Sequence, residues 1–131
     1  MNESELANIL VKQPSAVGMA EDIMGCKWSL TVIQLVRQGI RRPGLMERTI
    51  DGLTTKVLNE RLRKLTKYKI LQRHAYPEIP PRVEYYLTPF GTKFVGILDN
   101  LIELDLEFNS QINEKDINNV NFLDPPIKEL L

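Results

Sequence analysis

Three prolines fall within the six residues 77–82, PEIPPR. Proline has no N–H to give to a strand ladder, so neither flanking segment can run through this stretch. Both flanks are rich in strand formers: residues 70–76 read ILQRHAY and residues 83–88 read VEYYLT. This predicts a hairpin with a stiff, protruding loop. The rest of the chain carries helical periodicity, which leaves a mainly α protein with one small β element.

Before the hairpin, Ser15 is placed to cap a helix through Gly25, with Val17, Ala20, Ile23 and Met24 on one face. The set Trp28, Leu30, Val32, Ile33, Leu35 and Val36 runs nearly all round the next helix, which ends at Gly39. A helix apolar on most sides is buried on most sides, so this one is expected at the centre. Pro43 suits the first turn of a short helix over residues 43–50, and Asp51-Gly52 supplies turn chemistry. Thr54 opens the next helix, which Leu58, Leu62 and Leu65 hold to the core. Two helices joined by a tight glycine-containing turn have the helix-turn-helix spacing. After the hairpin, Pro89 starts a long helix to about Asn109. The organisation expected is an N-terminal arm over residues 1–14, loose in structure, one domain over 15–109, and an acidic tail over 110–131.

Composition excludes several classes. The chain has 131 residues, with one Cys and one His. It can close no internal disulfide and cannot supply a tetrahedral zinc set from one subunit, so no metal or other cofactor is expected. No apolar run approaches the ~20 residues of a bilayer span, and the acidic start MNESELANIL is unlike a basic signal peptide. A cytoplasmic protein without membrane contact is expected. The formal net charge of zero conceals a polarity. Residues 1–26 carry a net −3, residues 27–93 a net +9 and residues 94–131 a net −6. A basic middle attracts an anionic polymer even when the whole chain is neutral.

Four segments resemble one family: GCKWSLTVIQLVRQG, RRPGLMERTIDGLTTKVLNERLRKL, ILQRHAYPEIPPRVEYYLTPFG and the long helix after them. They are similar to the HxlR-type winged helix-turn-helix regulators. The family pattern runs G-G-K-W, then G-I-S-x-K-x-L-x-x-x-L-R-x-L, then V-P-P-R-V-E-Y-x-L-T-x-x-G. The resemblance covers about residues 15–108, and IPPRVEYYLTPFG is its most specific part. It implies a homodimeric transcription regulator on palindromic double-stranded DNA, with some members responding to electrophiles or other small molecules. Three departures stand out. Thr54 replaces the family Ser, with Glu60 inside the candidate DNA face. Arg42-Pro43 replaces an Arg-Phe pair. The N-terminal Cys-Pro element is missing, and the only Cys, Cys26, occupies the second Gly of G-G-K-W.

Helical geometry divides the candidate recognition helix. At 100° per residue, Leu58, Leu62 and Leu65 share about a 60° sector, opposite Lys56, Glu60, Arg63 and Lys67, with Asn59 and Lys64 on the flanks. Lys and Arg there can reach phosphates or guanine edges, and Asn59 is placed to pair with adenine. The N-terminal residues of such a helix enter the groove, which favours Thr55, Lys56 and Asn59, with Thr54 at its start. Glu60 either accepts from a cytosine amine or pairs with Lys56 or Lys64. In the wing, Arg73 and Arg82 are the candidate contacts. Arg82 has a second reading as the ion-pair partner of Glu84 or Glu78. His74 reads as a plain strand residue, Trp28 as core, and one of Tyr85 and Tyr86 as inward-facing.

The long helix has more apolar surface than one small domain can cover. Phe94, Leu98, Leu101 and Phe108 are expected to form a dimer seam, aided by the residue 15–25 helix, while Val95, Ile102 and Leu106 serve the domain. Cys26 has a redox-sensor reading and a packing reading, of which packing is the usual role of a lone Cys. No phosphate loop, nucleophile elbow or metalloprotease motif is present, and Glu47 and Asp51 have no acid–base partner, so no enzyme is expected. The alternative to a DNA-binding regulator is a winged-helix protein-interaction module that has lost DNA binding, and Glu60 is the residue that favours it.

Overall fold

The computed structural model describes residues 1–11 and 15–111. Helix α1 (Glu3–Val11) corrects the expectation of a loose arm. Asn2 Oδ1 accepts the Glu5 N–H at 2.7 Å, and Glu5 Oε2 accepts the Asn2 N–H at 3.1 Å. That reciprocal capping box satisfies two backbone donors that a helix start leaves open. The Asn2-x-x-Glu5 spacing was its signal in the sequence. Residues 1–9 are exposed, so capping supports the start of this helix.

Helix α2 (Ala16–Gly25) begins as expected, with Ser15 Oγ accepting the Gly18 N–H at 2.9 Å, and it buries Met19 and Ile23. Helix α3 (Ser29–Arg37) has seven of its nine residues buried, which makes it the central helix its all-round apolarity called for. Trp28 stands at its N-terminus with a positive φ of 77°. At the other end Gly39, with φ 88°, lets the chain turn back. The Ile40 N–H reaches the Leu35 carbonyl at 2.9 Å and the Gly39 N–H reaches that of Val36 at 3.0 Å, the paired bonds of a Schellman cap.

Helix α4 (Pro43–Thr49) carries its proline in the first turn. Helix α5 (Thr55–Lys67) buries Leu58, Leu62 and Leu65 against α3 and α4. Shortening any of these three to Ala costs about 2–5 kcal/mol by the usual cavity penalty. The end of α5 repeats the cap of α3, with the Ile70 N–H on the Leu65 carbonyl and the Lys69 N–H on that of Thr66, both at 3.0 Å. Here Lys69, with φ 63°, holds the left-handed position that glycine usually takes.

Strands β1 (Leu71–Tyr76) and β2 (Arg82–Leu87) form the antiparallel hairpin, in register from Leu71 opposite Leu87 to Tyr76 opposite Arg82. Tyr85 packs against the core, and Tyr86, one residue on, belongs to the other face. The Tyr85 N–H also donates to the Arg41 carbonyl at 3.0 Å, so the segment before α4 covers part of the β2 edge. Thr88 then links three elements. Its Oγ1 donates to the Lys69 carbonyl and accepts the Gly91 N–H at 2.8 Å. A Cβ on Gly91 would stand 2.1 Å from the Ile70 carbonyl oxygen, so only glycine fits there.

Helix α6 (Pro89–Gln111) packs Phe94, Val95 and Leu98 into the core. Phe94 and Leu98, expected in the dimer seam, are only 4% and 5% exposed, and this corrects their assignment. The apolar residues left outside are Phe90, Ile97, Leu104 and Leu106, the middle two 57% and 56% exposed. Leu106 had been expected to serve the domain. The Arg37–Asp99 pair, bidentate at 2.8 and 3.2 Å, ties the end of α3 to α6. The expected acidic tail lies, from residue 112 onward, outside the described residues. Among the described residues no helix is long and apolar enough to cross a membrane.

Candidate nucleic-acid interface

Helices α4 and α5 and the turn 50–54 form the helix-turn-helix. Gly52 in that turn has φ 86°, and the Trp28 ring lies 3.9 Å from where its Cβ would be. Leu53 is buried and anchors the turn, while Thr54 Oγ1 accepts the Val57 N–H at 3.2 Å and caps α5. Thr54 Oγ1 only accepts in this cap, so the residue sets the start of the helix while its exposed O–H keeps the capacity to donate outward. Thr55, Lys56, Asn59, Glu60 and Arg63 are all exposed, as the leucine spacing requires.

The five cations of α5 separate into two groups. Lys56, Arg63 and Lys67 are exposed and form no ion pair among the described residues. Arg61 and Lys64 turn back onto the α2–α3 junction. Arg61 Nε donates to the Lys27 carbonyl at 2.8 Å. Lys64 Nζ pairs with Asp22 Oδ1 at 2.8 Å and donates to Cys26 Sγ at 3.3 Å. The reading of Lys64 as a flank of the DNA face, or as the partner of Glu60, is therefore corrected. Its partner sits 42 residues away in sequence, beyond any i, i+4 rule. Glu60 itself makes no ion pair among the described residues.

Asp22 receives the Lys64 ammonium and the Tyr68 hydroxyl. The bonds from Lys64 and then Tyr68 hold its carboxyl below the usual range. The same bonds raise Lys64 and Tyr68, so both remain protonated donors. Cys26 is half-buried beside this cluster, its Sγ 3.7 Å from Asp22 Oδ1.

The wing is less available than its arginines suggest. Arg73 on β1 is exposed. Arg82 is engaged on three sides: Nη2 with Glu78 at 3.0 Å, Nη1 with Glu84 at 3.3 Å, and its guanidinium over the Tyr76 ring at 3.7 Å. The ion-pair alternative for Arg82 is the one realised, with both acids as partners. His74 stacks edge-on with Tyr76 at 4.3 Å. The sequence reading missed Arg41 and Arg42, which pack on the same face. Arg41 lies over the Tyr86 ring at 4.9 Å, and Arg42 Nε is 3.6 Å from Glu84 Oε1. The alternation Arg82, Glu84, Tyr86 was visible as one strand face, but the arginines joining it come from before α4.

The family profile described as HxlR-like helix-turn-helix matches residues 23–113. The chain belongs to this family. An HTH-type transcriptional regulator of Synechocystis sp. is 39% identical over 90 residues, which are 69% of this chain and 67% of that one. A MarR-family transcriptional regulator from Enterococcus faecalis V583 superposes with a TM-score of 0.67 at 33% identity, covering 77% of this chain and 92% of the other. The reduced form of the transcriptional regulator YodB from B. subtilis superposes at 0.63, with 26% identity over 80% of this chain and 98% of that one. Fold and family agree on a winged-helix transcription regulator of the HxlR type, and not on an enzyme.

Proposed function

We propose that this HxlR-family regulator acts in the cytoplasm as a homodimer on a palindromic operator, with α5 entering the major groove. What supports the reading is the outward face of α5, where Lys56, Asn59 and Arg63 are exposed while the neighbouring Arg61 and Lys64 are held by the protein itself. Free cations next to an amide on the first turns of such a helix suit phosphate contact beside base reading. Thr55 belongs to this face, Thr54 caps it, and Arg73 is the wing cation left for the backbone. Arg82 serves the wing's own geometry.

The dimer rests on α6. At 100° per residue Phe90, Ile97, Leu101, Leu104 and Phe108 fall within about a 60° sector, and three of them are largely exposed. An apolar stripe of this length suits a second copy of the chain. Leu101 and Phe108 stay in the seam, joined by Phe90, Ile97 and Leu104. Two copies would set their α5 helices about 34–36 Å apart, one turn of duplex. Cys26 enters as a packing residue at the α2–α3 junction, and no effector is assigned.

The test is a salt titration of purified protein on duplex DNA. Contact with several phosphates makes the affinity fall steeply with salt, by about 0.9 log units per tenfold salt for each phosphate neutralised. A second reading, a protein-interaction module, is favoured only by the unpaired Glu60 on the recognition face. Undetectable duplex binding at low salt would select it.

A further inference from the structure

The outer face of the wing places one carboxylate among guanidinium groups. Glu84 Oε1 lies 3.3 Å from Arg82 Nη1 and 3.6 Å from Arg42 Nε, while its Oε2 accepts the Tyr86 hydroxyl. The Tyr76 hydroxyl stands 3.5 Å from the same oxygen and 3.1 Å from that of Tyr86. The Glu84 side chain is 14% exposed, whereas Glu78, the other acid on Arg82, is 51% exposed. Glu84 is thus the fixed anion of this face and Glu78 a rim partner. The cations it holds are in reach of solvent: the Arg42 side chain is 56% exposed and stands at the start of α4.

A carboxylate with two guanidinium groups offers the same chemistry as a DNA phosphate between two arginines. A phosphate approaching Arg42 Nε or Arg82 Nη1 competes with Glu84 for them, and Glu78 with the Tyr76 ring gives Arg82 a further hold. We propose that Glu84 is a positioning residue that withholds Arg42 and Arg82 from the DNA backbone, and so limits sequence-independent binding. The inference rests on the DNA-binding reading above. It concerns how many cations are presented, a property separate from which bases α5 reads. Arginines released near a duplex would strengthen binding to every sequence alike, so random duplex would be held more tightly at a given salt.

The experiment compares the parent protein with Glu84→Gln on a random-sequence duplex across a salt series. Glutamine keeps an oxygen for the Tyr86 hydroxyl and removes the charge. The expected result is a log K against log salt slope steeper by about 0.9 for each arginine engaged, with affinity at 0.1 M salt tighter by roughly eightfold per arginine. Adding Arg42→Ala to Glu84→Gln should return about half of that change. An equal or shallower slope in a folded Glu84→Gln protein would overturn the proposal. Arg42→Ala in the parent background gives an independent reading through a mild substitution. It should leave the slope within about 0.3 of the parent, and a loss of about 0.9 would show Arg42 already on phosphate and overturn the proposal. Binding with unchanged slopes sinks this inference alone, while failure of every protein to bind duplex DNA sinks the DNA-binding reading with it.

Discussion

Lys69 precedes the hairpin and Gly91 follows it, and they predict opposite effects. The Cβ missing from Gly91 would fall 2.1 Å from the Ile70 carbonyl, against backbone that the α5 cap and Thr88 hold in place. Gly91→Ala should therefore cost about 3 kcal/mol or more, read as a lower urea midpoint at unchanged m. Lys69 holds a left-handed conformation at a glycine position, and its side chain is exposed. Lys69→Gly should stabilise by about 0.5–1 kcal/mol, because the steric penalty removed exceeds the entropy added. A fall in the midpoint would mean that the Lys69 side chain has a role its exposure conceals. On the face proposed for DNA, Lys56→Ala should weaken specific and random duplexes by similar factors, whereas Asn59→Ala should alter sequence preference. Unchanged affinity in both variants at moderate salt would refute the face assigned to α5.

Helices α2 and α5 are joined by the Asp22–Lys64 pair and the Tyr68 bond to the same carboxylate. Asp22 is held below its usual range, so it binds fewer protons in the folded than in the unfolded chain around pH 4. Its contribution is complete above the unfolded value near 3.8 and is lost as pH falls through the lower folded one. Asp22→Asn should cost no more than about 1 kcal/mol at pH 7, since both side chains are about one-third exposed. The difference from the parent should vanish on acidification below the folded value, as followed by thermal melts across pH. This pair also marks the limit of what the sequence discloses. Ser15, Thr54, Gly39 and the three leucines of α5 act over one turn, and local spacing revealed them. The partners of Lys64, Arg61 and Arg82 depend on how distant elements pack. The placing of Phe94 and Leu98 in the α6 seam failed for another reason. Phe94 lies only about 20° of helix rotation from Leu101, so periodicity alone could not decide which of the two faced the core.

The whole molecule keeps its charges apart. Asp99, Glu103, Asp105 and Glu107 lie along α6, whereas the exposed Lys56, Arg63 and Lys67 lie on α5, so the proposed seam is on the more acidic helix. Replacing Ile97 and Leu104 together by Asp should yield a monomer at micromolar concentration by sedimentation, with the far-ultraviolet circular dichroism of the parent. It should also weaken operator binding by more than tenfold, since each half-site would then be held alone. A dimer that survives both charges would place the seam elsewhere. Trp28 carries one further consequence. It is the chain's single tryptophan, its ring lies against the turn at Gly52, and the Lys27 ammonium stands 4.9 Å from the ring centroid. Its fluorescence therefore has one origin, beside the turn between α4 and α5. Engagement of α5 by a duplex can be followed there as a change of emission, in unlabelled protein.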